Sequence, residues 1–166
     1  MKWTQSKSES LKILVPVDDG SPSRYAVEVA AALAERANGR VMLLNVVQPE
    51  TPRLGSYFTA QQLESARREM GAECLQQFQG MISPRVVCDT HQDTGKPSEI
   101  ILLIAEQWHP DLIVMGTRGR DRLAEIYLGG TTNDVIREAK CPVVAVSHPP
   151  SGILGSALEA SSEHRH

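Results

Sequence analysis

Residues 111–132 read DLIVMGTRGRDRLAEIYLGGTT, and this stretch decides the predicted fold. It begins with a short apolar run, DLIVMG, whose Leu, Ile and Val content is typical of a buried strand. Two glycines, Gly116 and Gly119, follow the run, and a second pair, Gly129 and Gly130, precedes a helical pattern. The stretch therefore predicts a strand, a glycine-rich loop and a helix in that order.

Four more apolar runs share the length and the β-branched content of buried strands. They are LKILVPV (11–17), RVMLLNVV (40–47), RVVCDT (85–90) and PVVAVS (142–147). Helical patterns separate the runs: they start at Ser21-Pro22, cover 59–82, extend from Pro97 to about Trp108, and start near Thr131 or Thr132. Strands that alternate with helices imply βαβ crossovers. The predicted fold class is therefore α/β, a doubly wound five-stranded parallel sheet with helices on both faces.

Each predicted helix has an apolar face that should pack on the sheet. In the first helix, Ser21 is predicted as the N-cap and Pro22 as the first helical residue. In the second, apolar residues recur at three- and four-residue steps and predict a buried stripe of Leu63, Ala66, Met70, Cys74, Phe78 and Met81. The fourth helix is predicted to direct Val135, Ile136 and Ala139 inward.

The expected organisation is one globular domain over residues 11–147. A chain of 166 residues with 41% hydrophobic and 22% charged residues is in the ordinary range for one such domain. Residues 1–10 form a polar lead. Residues 148–166 are rich in Pro, Ser and Gly, which predicts a flexible tail.

Charge and composition narrow the function classes. The net charge of −3 and the dispersed lysines and arginines argue against a nucleic-acid partner or an acidic membrane surface. The N-terminus has no apolar signal-peptide core, and no apolar run approaches the length of a membrane span, so a cytoplasmic location is expected. Cys74, Cys88 and Cys141 are widely spaced and lack a CxxC pair, so neither a disulfide framework nor a metal site is expected.

The predicted topology also places the candidate site. In doubly wound sheets, ligands bind at the carboxyl ends of the strands, where the strand order reverses. The first and fourth strands are the usual neighbours at that point. The loops after Val17 and Met115 are therefore expected on the same rim, and they are the loops richest in Asp, Gly and Arg.

The glycines suggest an anion-binding loop. A glycine directly after a strand lets the main chain approach an anion closely, because no side chain obstructs its N–H groups. A helix that starts just beyond adds the positive end of its dipole. Gly116 and Gly119 would provide the first feature and residues 129–132 the second, with Arg118 adding positive charge. The alternative is two unrelated turns with arginines on a solvated surface, and the glycines alone do not exclude it.

Taken together, the motifs resemble the universal stress protein family. Its ATP-binding members carry Gly-x2-Gly-x9-Gly followed by Ser or Thr between the fourth strand and the fourth helix, and Gly116, Gly119 and Gly129 have this spacing. Similar segments also occur at ILVPVDDGSPSRYAVEVA (13–30), Gly95-Lys96-Pro97 and VIREAKCPVVAVS (135–147). The resemblance covers about residues 11–147 and implies an adenine nucleotide α-hydrolase-like fold.

The resemblance implies a role for each matching residue. Asp18 would lie beside the ribose and adenine, Pro16 would line the base pocket, and the main chain of Val46 would face the adenine edge. The ribose and first phosphates would be surrounded by Met115, Gly116, Arg118 and Gly119. The outer phosphates would be held by Gly129, Gly130, Thr131 and Thr132. The implied cofactor is ATP, and magnesium can accompany it, although the sequence shows no dedicated metal ligand.

Two of these implied roles, those of Asp18 and Gly130, have to be weighed against the residues themselves. Asp18 has a structural alternative, because an aspartate after a strand can simply bind turn N–H groups. Gly130 departs from the family pattern, which has Ser or Thr there. The missing hydroxyl would cost roughly 0.5–1.5 kcal/mol of binding free energy, unless Thr131 compensates.

The expected function is a stress-response regulator that binds an adenine nucleotide. An exposed apolar edge strand favours pairing, so a homodimer through Pro142–Ser147 is expected. No residue near the glycines is an obvious catalytic base, so no catalytic residue is assigned. Two alternatives stay open: the chain could act through protein contacts without nucleotide, or it could hydrolyse ATP slowly.

Overall fold

A computed structural model of the chain describes residues 10–49, 57–117 and 129–147. These residues form five strands and four helices in strict alternation. In chain order they are β1 (Lys12–Pro16), α1 (Ser21–Arg36), β2 (Arg40–Val47), α2 (Ala60–Gln79), β3 (Val87–Thr94), α3 (Pro97–Trp108), β4 (Leu112–Gly116), α4 (Gly130–Glu138) and β5 (Val143–Val146).

The strands form one parallel sheet in the order β3-β2-β1-β4-β5. The sheet has an apolar core on each face, because successive strand residues point to opposite sides. Val15 packs into the core formed with α1 and α2, and its neighbour Leu14 packs into the core formed with α3 and α4; both are fully buried. The prediction of a doubly wound five-stranded parallel sheet with helices on both faces is confirmed.

The pairing between β1 and β4 is shorter than the pairing on either side of it. These strands pair only at Ile13–Leu112 and Leu14–Ile113. In contrast, β1 stays paired with β2 as far as Pro16–Leu44, and β4 stays paired with β5 as far as Gly116–Val146. The sheet therefore opens between β1 and β4 towards the carboxyl ends of the strands.

Pro16 explains where this opening begins. The Val17 N–H donates to the Leu44 carbonyl of β2 at 2.8 Å, so Val17 faces β2. Alternate residues of a strand face opposite neighbours, so Pro16 faces β4. Because proline has no N–H, it cannot donate a ladder hydrogen bond to β4 at this position. The strands are thus free to separate after Leu14.

Several predicted boundaries differ from the structure. The N-cap of α1 is Gly20, and Ser21 is already helical, so Ser21 is not the cap. Helix α2 is capped by Thr59, in a reciprocal capping box with Gln62, and ends at Gln79, before the predicted residue 82. Strand β3 covers Val87–Thr94, beyond the predicted 85–90. It extends through a polar segment because pairing with β2 continues along its whole length, and an edge strand tolerates polar side chains.

Three predicted core residues are exposed. Met70 is 60% exposed, Ile136 is 41% exposed and Ala66 is also exposed, so their predicted burial is wrong. In α2 the buried residues are Gly71, Cys74, Leu75 and Phe78, and Met70 lies beside that stripe. In α4 the buried residues are Thr132 and Val135, so the inward face passes through a threonine that the apolar pattern did not include.

A helix that crosses a bilayer has to be both long and apolar. None of the helices in residues 10–49, 57–117 and 129–147 combines the length and the apolar character that a membrane crossing requires.

Candidate functional site

A groove of about 860 Å³ lies at the carboxyl ends of the strands, where β1 and β4 separate. Its walls come from the ends of β1, β2 and β4, from α2, and from the first residues of α1, α3 and α4. This is the position at which open α/β sheets bind ligands, because the connections leave in opposite directions from the two central strands.

Most of the predicted site residues line this groove. They are Pro16, Asp18, Val46, Met115, Gly116, Gly129, Thr131 and Thr132. Arg118 and Gly119 lie outside the described residues. Gly130 is the exposed first residue of α4 and is not among the lining residues. The rim predicted from the loops after Val17 and Met115 is therefore a single groove, with Gly130 beside it.

The turn after β1 fixes one carboxylate oxygen of Asp18. The Gly20 N–H and the Ser23 hydroxyl both donate to Oδ1 of Asp18, at 2.9 and 2.7 Å. The Ser23 oxygen also accepts from the Asp18 N–H at 2.9 Å. The structural role considered for Asp18 is therefore present. It is compatible with ligand binding, because among the described residues no donor contacts the second oxygen, Oδ2, and the residue is exposed.

The main chain of Val46 is open towards the groove. Leu44 accepts from Val17 and so faces β1, and Val46, two residues later, faces the same side beyond the end of β1. Within the described part of the chain, neither the N–H nor the C=O of Val46 has a hydrogen-bond partner there. The strand thus presents a donor and an acceptor side by side.

The start of α4 forms the opposite wall. Gly129 is its N-cap and has no side-chain cap, so none of the described side chains caps the first N–H groups of the helix, which can bind a ligand. Thr131 lines the groove. The Thr132 side chain is buried and donates its hydroxyl to the Gly116 carbonyl at 3.3 Å. Thr132 therefore ties α4 to the end of β4, and that hydroxyl proton is not directed to a phosphate.

Gly116 and Gly130 differ in the space that surrounds them. A Cβ on Gly116 would lie 2.4 Å from both the carbonyl carbon and the carbonyl oxygen of Pro22, so the end of β4 packs directly on the start of α1. Among the described residues, a Cβ on Gly130 would meet no atom within 4 Å. Packing requires glycine at position 116, whereas no described neighbour of position 130 excludes a side chain.

The electrostatics of the groove favour an anion on the α4 side. Helices α1, α3 and α4 all begin at the groove, and helix N-termini carry partial positive charge. The carboxylates of Asp18 and Asp19 lie on the β1 side. A ligand with a neutral or donor-bearing end and an anionic end would therefore place its anionic end towards Thr131.

A polar network that the sequence patterns did not predict lies behind this groove. Asn45 is buried in β2; its amide donates to the Val17 carbonyl at 3.1 Å and accepts from Gln92 at 3.2 Å. The signal was available, because Asn45 interrupts the apolar run RVMLLNVV and Gly71 interrupts a helix. A Cβ on Gly71 would lie 2.1 Å from Oδ1 of Asn45, so the glycine lets α2 pass over the network.

Cys74 also lines the groove, from α2. Burial, together with the nearby carboxylates of Asp18 and Asp19, raises the pKa of its thiol to about 11. The thiol is therefore protonated at neutral pH and acts as an apolar wall, since the thiolate is the nucleophilic form. Over the described residues, His, Cys, Asp and Glu form no group of three that could hold a metal ion.

The sequence matches a known family over nearly all of the sheet domain. The profile of the Universal stress protein family matches residues 10–147. A universal stress protein of Methanocaldococcus jannaschii is 33% identical over 143 residues, covering 83% of this chain and 82% of that protein. The solved structure of UspA from Lactobacillus plantarum is 26% identical, covers 82% of this chain and 97% of that chain, and gives a TM-score of 0.71.

Three more distant structures are complexes with adenine nucleotides. They are a universal stress protein with cAMP, one from Archaeoglobus fulgidus with dAMP, and a family protein from Arabidopsis thaliana with AMP. Their identities to this chain are 21, 19 and 20%, and their TM-scores are 0.64, 0.64 and 0.61. They cover 84, 82 and 83% of this chain and 98, 98 and 92% of their own chains, so they share its fold.

The contact at Gly116 predicts a specific loss of stability. Gly116→Ala should lower the free energy of unfolding by about 1–3 kcal/mol, because the new methyl group would press on main-chain atoms that cannot rotate away. Gly80→Ala is the matched control, since its Cβ would lie 3.4 Å from the nearest atom, in ordinary contact. Urea unfolding followed by circular dichroism measures both, and equal stabilities for the two variants would contradict the close packing at Gly116.

Proposed function

The chain belongs to the universal stress protein family, and we propose that it is a stress-response regulator that binds ATP in the groove between β1 and β4. The observation that carries the proposal is the combination of three features in one groove. These are the main-chain donor and acceptor of Val46, which no described residue binds on the groove side, the fixed carboxylate of Asp18, and the N-terminus of α4 at Thr131.

The Val46 end suits the base of an adenine nucleotide. The edge of adenine carries a ring-nitrogen acceptor beside an amino donor, which complements an N–H beside a C=O. Asp18, the first residue beyond Val17, can accept from a ribose hydroxyl through Oδ2. The cAMP, dAMP and AMP complexes of the structural neighbours support an adenine ligand for this fold.

The α4 end suits the phosphates. The uncapped N-terminus of a helix offers several N–H groups and a positive dipole, which stabilise phosphate oxygens. We propose that this end of the groove binds the triphosphate of ATP. Magnesium can enter with it, bound by phosphate oxygens and water. Arg118 and Gly119, which follow β4 in sequence, are proposed to complete this end.

We assign the protein a binding role with slow or no turnover of ATP. Hydrolysis requires a positioned water and usually a base close to the outer phosphate. Among the described lining residues, the carboxylates are Asp18 and Asp19, and both lie on the β1 side. The cytoplasmic location expected from the sequence stays a prediction.

We also propose that the chain forms a homodimer through β5. This strand is at the edge of the sheet, and its Val144 is 38% exposed while Ala145 is also exposed. Exposed apolar edge strands pair readily with another copy, since their main-chain groups on one side have no neighbour in the sheet. A two-fold axis beside β5 would cover these residues in both copies.

The nucleotide proposal is tested on the freshly purified protein. Mass spectrometry of the denatured supernatant is expected to release adenine nucleotide, and calorimetric titration of the emptied protein is expected to detect ATP with magnesium but not GTP. A phosphate-release assay should show slow or no turnover. Absence of bound nucleotide together with no heat on titration would favour a family member that acts through protein contacts alone.

The open space around Gly130 predicts a gain in affinity. Gly130→Ser should tighten ATP binding by up to about tenfold, because the added hydroxyl restores a hydrogen-bond donor next to the phosphates. Gly130→Ala is the control, since it changes the backbone preference in the same direction but adds no hydroxyl. Titration of the two variants separates these effects, and identical affinities would show that position 130 makes no side-chain contact with the ligand.

The dimer proposal has a matched pair of variants, one on each edge of the sheet. Val144→Asp in β5 should convert the dimer to a monomer, because two carboxylates would oppose each other across the interface. Val87→Asp introduces the same charge at a residue that is 59% exposed on the opposite edge strand, β3, and should leave the dimer intact. Light scattering with size exclusion gives the mass, and dissociation by both variants or by neither would refute the β5 interface.

A further inference from the structure

The network behind the groove connects α2 to the end of β1. Gln92 of β3 donates through Nε2 to the Arg68 carbonyl of α2 at 3.0 Å and to Oδ1 of Asn45 at 3.2 Å. Asn45 of β2 then donates through Nδ2 to the Val17 carbonyl at 3.1 Å. Asn45 is only 8% exposed, so its bond to the Val17 carbonyl forms where water does not compete freely, whereas the bond from Gln92 to Arg68 lies at the surface.

The Val17 carbonyl has a different partner in an uninterrupted parallel ladder. After Val17 donates to Leu44, the next bond of such a ladder runs from the Val46 N–H to the Val17 carbonyl. Here the Asn45 side chain occupies that carbonyl, and in the described structure the Val46 N–H has no partner on that side. The side-chain amide has taken the place of a main-chain donor one residue further along the strand.

Gly71 shows that the helix above is fitted to this arrangement. A Cβ there would lie 2.1 Å from Oδ1 of Asn45 and 2.4 Å from Nε2 of Gln92. Only glycine lets α2 approach closely enough for the Arg68 carbonyl to hold Gln92. The network is thus fixed from both sides, by α2 above and by β3 beside it.

We propose that Asn45 and Gln92 are positioning residues that keep the nucleobase edge of the groove open. Asn45 satisfies the Val17 carbonyl, so the Val46 N–H stays free for a ring-nitrogen acceptor of the ligand. Gln92 holds the Asn45 amide in the orientation that this requires. The inference deepens the proposed function, since it rests on a base that binds at Val46.

The test is amide hydrogen exchange measured by NMR on the ligand-free chain. In the wild type, the Val46 amide should exchange at least about tenfold faster than that of Leu44, which lies in the ladder on the same side. In Asn45→Leu, which keeps the shape but removes the amide, the Val17 carbonyl should recruit the Val46 N–H. Exchange at Val46 should then slow by about tenfold, and ATP should bind about tenfold more weakly.

Two further variants keep the result interpretable. Gln92→Leu removes the amide that donates to Oδ1 of Asn45. It should shift both the exchange rate and the affinity in the same direction as Asn45→Leu, by a smaller factor. It replaces Asn45→Leu if that variant does not unfold cooperatively. Gln79→Leu is the control: Gln79 donates from α2 to the Cys88 carbonyl at 3.1 Å, away from the groove, and its loss should change neither measurement.

The outcomes separate this inference from the proposed function. A Val46 amide that is as protected as Leu44 in the ligand-free wild type overturns the inference, and so does unchanged Val46 exchange in folded Asn45→Leu and Gln92→Leu. If the wild type binds no adenine nucleotide, the proposed function fails, while the exchange rates without ligand still decide whether Asn45 controls the Val46 N–H. A purely structural role for Asn45 would speed exchange at Val46 on mutation, which is the opposite sign.

Discussion

Beyond the Leu14–Ile113 pair, β1 and β4 no longer share hydrogen bonds, and each continues to pair with its outer neighbour. Proline at position 16 faces β4 and withholds the donor that would keep the central strands together. Helix α1, which follows β1, packs on one face of the sheet, and α4, which follows β4, packs on the other. The groove, and the convergence of three helix N-termini on it, follow from this one interruption of the ladder.

The gap is held open at a fixed width by contacts that leave little freedom. Gly116 packs on the main chain of Pro22, which sets the distance between the end of β4 and α1. Thr132 bonds to the Gly116 carbonyl and so attaches α4 to the same point. On the other side, Ser23 and Gly20 bind Asp18 and keep the turn after β1 in place. The candidate binding groups are therefore arranged before any ligand arrives, which lowers the entropy that binding must overcome.

The sequence predicted the sheet, its helices and most of the groove, because these depend on short-range patterns. Apolar runs of strand length identify the strands, and glycines after β4 identify the rim. The sequence predicted less about burial and about contacts between segments that are far apart in the chain. Met70 and Ile136 fit a helical apolar stripe, yet the sheet covers only part of each helix and leaves both exposed. Asn45 is a polar residue in an apolar strand, and its role depends on Gln92 and Gly71, which are far from it in the sequence and come together with it only in the folded chain.

The space around Gly130 has a consequence for how such a chain can change over generations. At Gly71 and Gly116 an added Cβ would press on neighbouring atoms, so a substitution there disturbs packing. At position 130 no described residue lies within 4 Å of the missing Cβ. A substitution there changes the first turn of α4 and the surface beside the groove, but it does not press on the core. Descendants of this chain can therefore vary at position 130 without rebuilding the groove.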